Sequence, residues 1–441
     1  MNQPICQTPC GAIRGIQLSE EVYAFRGIRY ATAGRWEYPA PVTHWQGVYD
    51  ATQFGPNAMQ TAAFAPKKEG SFYEHEFREG LPYTYSEDCQ YLNIYAPAGA
   101  HKAPVIVYIH GGAYMGGSGW DKVFSEPVWP QQGAVAVTLN YRLGLFGSVM
   151  LEELAAEAGH AGNYQVYDQL AALEWVYRNI AAFGGDPENI TLMGQSAGAR
   201  SVQMLVGSPR MKGIIQKAVM SSGGGSSSHL FNGVPTVEET TAAWENWQKK
   251  LGSPTLAELR AMSAEKLMQS IGLLFQEYGF QKAILYISPI YDGVDFPLPG
   301  TDPALPNGWL EIPYLCGANS QDIVPGLVQD AAAWTASRLV PSYAYAFCRQ
   351  LPGDAYGAWH SADLWYWFGS LQNCWRPFTE TDKSLSHIMN ACLLRFAQTG
   401  DPNGPDIPLW LPSQEANGRV MRLDEICAMG EPPMQKTGLM L

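Results

Sequence analysis

The chain is predicted to fold as an α/β protein with a mostly parallel central sheet flanked by helices, on three observations. Apolar runs of strand length alternate with longer segments of helical period. Three of those runs stop abruptly: Val105–Ile109 at His110-Gly111-Gly112, Val135–Leu139 at Asn140-Tyr141-Arg142, and Ile190–Met193 at Gly194-Gln195-Ser196. Gly 45 and Pro 31 among 441 residues supply many tight turns. No internal repeat or heptad run competes with this reading.

The elements follow in order. Val105–Ile109 and Val135–Leu139 are β-rich and too short for helices. Between the second and third strands, Tyr164–Phe183 reads as one amphipathic helix, because Leu170, Leu173, Val176 and Ile180 recur at spacings of three and four. Gly184-Gly185 ends it. Ala197–Val206 reads as a helix leaving the third strand, and Ile214–Met220 as the next strand. The serine-glycine stretch Ser221–Ser228 reads as a loop leaving that strand. Residues 229–285 are more polar and helix-rich and are expected to form a cap-like insertion. Leu385–Phe396 has a helical pattern. No domain boundary is visible, so a single domain over 1–441 is expected.

Composition narrows the function. With 46% hydrophobic and 16% charged residues, the chain is not of disordered type. A net charge of −13 repels phosphates, which argues against nucleic acid and against a basic membrane patch. No apolar run approaches the roughly 20 residues needed to span a bilayer. The N-terminus has neither a basic leader nor an apolar core, so a cytoplasmic protein is expected. The eight cysteines contain no CxxC pair and are read as reduced, mostly buried thiols. Glu74-His75-Glu76 lacks metal-ligand spacing and reads as a solvated loop. Neither metal nor organic cofactor is expected, and the expected partner is a small molecule bound by a monomer or weak homo-oligomer.

Gly194-Gln195-Ser196-Ala197-Gly198 fits G-x-S-x-G between a strand and a helix. A serine on so tight a turn needs neighbours without side chains, and the following helix aims its first amides at developing negative charge. His110-Gly111-Gly112-Ala113-Tyr114 follows a strand, and its small residues let backbone N–H groups approach a carbonyl oxygen. It has no Walker Gly-Lys-Ser/Thr. An activated serine needs a base and an orienting acid later in the chain, which leaves His229, His360 and His387 as candidate bases. His360 lies in a loop after Pro352-Gly353, His229 beside the serine-glycine stretch, and His387 within a helical pattern.

Taken together, the motifs resemble the type-B carboxylesterases, an α/β-hydrolase family that includes bacterial p-nitrobenzyl-type esterases and the cholinesterases. The resemblance rests on Phe25–Ala31, Ser86–Tyr95, Asn140–Gly144, Phe183–Pro187 and Gly400–Asn403 and spans nearly the whole chain. It implies the α/β-hydrolase fold. Gly357–Leu364 matches G-A-x-H-x-x-E-L, which implies His360 as base, and Gly317–Asp322 aligns with G-x-N-x-D-E, which implies Asp322 as acid. Asp330 is the fallback acid. The implied oxyanion donors are the amides of Gly112, Ala113 and Ala197. Arg142 with Asp168, and Arg35 with Glu87, fall where the family has structural ion pairs. Tyr114, Trp120 and Trp359 lie near these segments and are candidate pocket walls.

Several positions depart from the pattern. Asp322 stands for glutamate, Ile323 for glycine, Gln195 for glutamate and Ala113 for glycine, and Ala58 replaces the cysteine that would pair with Cys89. Only 38 positions separate Asp322 from His360 (360 − 322), which implies reduced cap insertions and a more open site. The implied activity is that of a serine carboxylesterase acting on short or medium acyl or aryl esters through an acyl-enzyme. An amidase, carbamate hydrolase or lipase would use the same residues. A catalytically silent, neuroligin-like interaction protein would be expected to lack one of them.

Overall fold

The computed structural model describes residues 3–63, 71–225, 233–405 and 407–435. Its centre is an 11-stranded sheet, numbered here in chain order: β1 Ile16–Gln17, β2 Val22–Arg29, β3 Tyr91–Pro97, β4 Ala103–Ile109, β5 Val135–Leu139, β6 Gly185–Gln195, β7 Lys217–Ser221, β8 Tyr314–Asn319, β9 Tyr343–Phe347, β10 Val420–Leu423 and β11 Ala428–Gly430. Across the sheet they run β11-β10-β9-β8-β7-β6-β4-β5-β3-β2-β1. From β5 to β10 every neighbouring pair is parallel, and the strands outside that stretch pair antiparallel.

The parallel strands are buried on both faces, which is why they read as continuous apolar runs without alternation. Side chains of β4 divide between two cores: Val105, Val107 and Ile109 pack on one face, Ile106 and Tyr108 on the other. Helix α1 (Tyr164–Asn179) covers the first face through Leu170, Leu173 and Val176. Two further helices are α2 (Ala197–Val206) and α9 (Glu380–Thr399); α9 covers the second face through Leu385, Met389 and Leu393.

Some boundaries differ from expectation for local reasons. The helix expected to run to Phe183 is α-helical only to Asn179, and Ile180–Phe183 tightens into a 3₁₀ turn before Gly184, whose φ is 82°. The third strand is longer than its apolar run, Gly185–Gln195, because parallel neighbours pair with its polar ends. The next strand begins at Lys217, not Ile214. Ile214 and Ile215 form a turn whose amides donate to Met211, and Gln216 closes it by donating from its amide to Ile190 O at 3.0 Å. Beyond Ser221 the serine-glycine stretch is described to Gly225, and Ser226–Ser228 lie outside the described residues.

Between β7 and β8 the chain builds α3 (Val237–Lys250), α4 (Leu256–Ala261), α5 (Ala264–Ser270) and α6 (Gly272–Ile287). Thr236 with Glu239 and Thr255 with Glu258 form capping boxes that start two of them. Helix α6 is interrupted at Gly279 (φ 70°, ψ 166°). Between Asp322 and His360 the described elements are α7 (Leu327–Ala336) and β9; helix α8 (Leu364–Phe368) follows His360.

Two ion pairs brace the frame. Arg142 grips buried Asp168 through Nε and Nη2, both at 2.8 Å, and Arg35 Nε donates to Glu87 at 2.8 Å. Cys89 is a buried free thiol, and Ala58 sits in a short strand paired with Tyr85-Ser86. Among the described residues, no helix is long and apolar enough to cross a membrane.

Candidate active site

Ser196 stands at the bend between β6 and α2, with φ 56° and ψ −124°, a region that non-glycine residues rarely occupy. Its surroundings over-determine that strain. Ser196 N donates to Ser221 O at 2.8 Å and Ser196 O accepts from Arg200 N at 3.1 Å. A Cβ on Gly194 would stand 2.4 Å from Gly198 O, and one on Gly198 would stand 2.1 Å from Ile109 O. The two motif glycines therefore let β6 turn and let α2 seat against the end of β4.

His360 arrives from the loop after β9, buried, and its Nε2 lies 2.8 Å from Ser196 Oγ. Its Nδ1 lies 2.6 Å from Oδ1 of fully buried Asp322. Asp322 also accepts from Asn319 N at 3.1 Å and from Ile323 N at 2.8 Å, so the shorter carboxylate is held by its own loop. That loop is tied to the histidine loop: Gln321 N donates to Ala358 O, Ala358 N donates back to Gln321 Oε1, and Asn319 Nδ2 donates to Trp359 O at 2.6 Å.

Gly112 (φ 111°) and Ala113 (φ 54°) turn the loop after β4 toward the serine, and residue 111 has no room for a side chain: a Cβ on Gly111 would stand 2.8 Å from Gln195 O and 3.0 Å from Ser196 Cβ. Among the described residues, no acceptor faces the amides of Gly112, Ala113 or Ala197. Three N–H groups thus remain available beside Ser196.

The other candidates fall elsewhere. Asp330 is in the first turn of α7, where its amide donates to Gly326 O. His387 is exposed on α9, and His229 lies outside the described residues. His75 pairs with Glu79 at 2.8 Å, and Glu76 is engaged by Arg376 at 2.8 and 3.0 Å, so Glu74-His75-Glu76 is not the solvated loop expected: Glu76 is buried.

Ser196 and His360 open into a cavity of about 1260 Å³. Its walls include Phe77, Arg78, Phe124, Leu285, Ile323 and Leu364. The expected pocket aromatics are a correction, because none of the three lines this cavity. Tyr114 turns its hydroxyl to Ala197 O at 2.7 Å; Trp120 stacks on Phe54 at 4.7 Å; Trp359 packs edge-on to Phe72 at 4.8 Å. Nearness in sequence to a catalytic segment does not aim a side chain at it, and large rings gain more by filling the core.

Sequence reasoning also missed supporting groups. Gln195 Nε2 donates to His360 Nε2 at 3.2 Å, and Tyr73 hydroxyl donates to His360 O at 3.1 Å. Buried Asp363 accepts from Ser221 Oγ at 2.7 Å, and burial raises its carboxyl above the usual range. His110 is held down to about 4 by burial, with its ring stacked on Tyr141 at 4.5 Å. No local pattern marks these groups, since each is fixed by a partner far along the chain.

Comparison with known proteins agrees with this architecture. A model of the carboxylesterase family matches residues 2–332 and 323–436. The chain is 29% identical to para-nitrobenzyl esterase of Bacillus subtilis (strain 168), over 99% of this chain and 98% of that protein. That alignment runs over 507 positions, more than the 441 residues here, so the relative carries segments this chain lacks. Phenmedipham hydrolase of Pseudarthrobacter oxydans is 28% identical, over 93% of each protein. Bile salt-activated lipase of Rattus norvegicus is 28% identical, over 92% of this chain and 78% of its own. A solved PNB esterase superposes with a TM-score of 0.82 at 27% identity, covering 97% of both chains.

Proposed function

This chain belongs to the carboxylesterase family and is a carboxylic ester hydrolase, and we propose that it works through an acyl-enzyme on Ser196, with His360 as base and Asp322 as orienting acid. The single observation that carries this reading is the continuous relay: Ser196 Oγ to His360 Nε2 at 2.8 Å, and His360 Nδ1 to Asp322 Oδ1 at 2.6 Å. Ser196 Oγ attacks the carbonyl carbon while its proton passes to His360 Nε2. The amides of Gly112, Ala113 and Ala197 receive the oxyanion, each worth roughly 3–4 kcal/mol of barrier. His360 then protonates the departing alcohol as the tetrahedral species collapses. Water, deprotonated by the same nitrogen, attacks the acyl-enzyme and releases the acid and the serine. Asp322 holds the Nδ1–H tautomer and stabilises the imidazolium.

The cavity's mostly apolar walls support short or medium acyl and aryl esters as substrates. The eight free thiols, Cys89 among them, are in keeping with a reducing compartment such as the cytoplasm. A lipase reading is favoured by the relative named bile salt-activated lipase and by Phe280, 66% exposed on the cavity wall.

The test is a chain-length series of p-nitrophenyl esters run beside an anilide, on the natural chain and on Ser196→Ala. Turnover concentrated on short and medium esters, and a fall of roughly 10⁶-fold in kcat in the variant, are expected. An organophosphate should add covalently at Ser196. Label recovered on another residue, or ester turnover surviving in Ser196→Ala, overturns the assignment.

A further inference from the structure

Arg78 is a cation on the wall of the cavity beside Ser196 that the proposed mechanism leaves unused. It ends a π-helical turn, Glu74–Arg78, and its side chain is 21% exposed. Two buried arginines show what full pairing looks like here. Arg142 spends Nε and Nη2 on Asp168 and Nη1 on Glu37 O. Arg376 spends Nε and Nη2 on Glu76, Nη2 also on Asp354, and Nη1 on Pro352 O. Arg78 has one long contact, Nε to Asp121 Oδ2 at 3.5 Å, and Asp121 Oδ1 is taken by the Tyr83 hydroxyl. Among the described residues, neither Nη of Arg78 meets an acceptor. A guanidinium has five N–H donors, and those of the Arg78 Nη groups are left to the cavity, where a ligand's acceptors can replace water.

We propose that the cavity is built for esters that carry an anionic group, a carboxylate above all, which docks on the Nη groups of Arg78 while Ser196 attacks the ester. The inference rests on the reading of Ser196 as nucleophile. A planar carboxylate matches the guanidinium fork in two parallel hydrogen bonds. Phe77, Phe124 and Leu364 on the neighbouring walls offer an anion nothing, and the carboxylate beside Arg78, Asp121, is engaged through Oδ1 by the Tyr83 hydroxyl and through Oδ2 by Arg78 Nε, which leaves the Nη groups to a ligand. The chain carries −13 overall, so a cation facing the cavity is not a by-product of a basic surface. Lys282, the other Lys or Arg on the cavity wall among the described residues, is exposed, and its Nζ lies 5.8 and 6.0 Å from the rings of Tyr278 and Tyr286.

The test pairs neutral and carboxylate-bearing esters on the full chain: p-nitrophenyl acetate with mono-p-nitrophenyl glutarate, and phenyl acetate with 3-carboxyphenyl acetate. In at least one pair the anionic ester should have the higher kcat/KM, by about 10- to 100-fold and through KM, as a charge-assisted hydrogen bond provides. Arg78→Gln should remove that ratio, Arg78→Lys should keep part of it, and Lys282→Gln should leave it within about twofold. Glutarate should inhibit p-nitrophenyl acetate hydrolysis competitively in the natural chain, a readout that needs no variant to fold. Neutral esters preferred in both pairs, a ratio unchanged in Arg78→Gln, or an equal loss in Lys282→Gln overturns the proposal. Failure of the underlying reading looks different: neutral ester turnover would then survive Ser196→Ala whatever the Arg78 variants do.

Discussion

Ser196, the proposed nucleophile, carries its backbone strain in one position. Its φ of 56° suits glycine, and the surrounding hydrogen bonds hold the serine there regardless. Ser196→Gly should therefore abolish turnover and stabilise the fold by about 1–3 kcal/mol, seen as a higher urea midpoint. At the proposed orienting acid, Asp322→Asn should leave the fold intact and lower kcat by about 10⁴-fold, since an amide favours the wrong tautomer of His360. Asp330→Asn, remote on α7, should be near-neutral in the same assay, and the reverse pattern would reassign the acid. His110 carries the pH dependence at this scale. Burial keeps it neutral in the fold down to about 4, whereas the unfolded chain takes up the proton near 6.5. Between those values the unfolded state binds more protons, so the stability that is whole above 6.5 declines as pH falls toward 4. Comparing urea midpoints of the natural chain and His110→Asn across that window should show the natural chain with the steeper acid loss.

At the scale of elements, the acid loop and the histidine loop act as one unit. Gly357 has φ 73°, and a Cβ there would stand 1.3 Å from Gln321 Oε1, the atom that accepts from Ala358 N. Gly357→Ala should thus displace Gln321 and lower kcat by more than about tenfold. Adding Gln321→Ala should return part of the activity, and no recovery would mean that the left-handed backbone alone is at fault. This coupling also explains how Ile323 is tolerated where glycine is usual: its amide still donates to Asp322 Oδ1 at 2.8 Å, and its side chain turns to the cavity. A second element-scale brace is Arg142–Asp168, both groups almost wholly buried. Asp168→Asn leaves the guanidinium uncompensated and should cost about 3–5 kcal/mol, measured as a lower urea midpoint. Activity per folded molecule should change far less.

For the whole molecule, the parallel sheet gathers residues from distant parts of the chain at one edge: Gly112 and Ala113 after β4, Ser196 after β6, Asp322 after β8 and His360 after β9. Ligands bind at the carboxyl ends of such strands because every parallel crossover delivers a loop there. The eight thiols give a molecule-wide check: denatured protein should titrate eight thiol equivalents, with or without prior reductant. What the sequence determined by itself was local. The strand ends at Ile109 and Leu139, the helix Ala197–Val206 and the strained elbow at Ser196 were legible because apolar period, glycine placement and turn chemistry act within a few residues. Family resemblance pointed to Ser196, His360 and Asp322, which the fold brings within hydrogen-bonding distance of one another. Only the tertiary structure decided that Trp359 and Trp120 pack away from the cavity, that Gln195 reaches His360, and that Arg78 lines the cavity beside Ser196 with neither Nη hydrogen-bonded among the described residues. Those outcomes depend on which distant segments meet, and side-chain direction after long-range packing leaves no periodic trace in a linear chain.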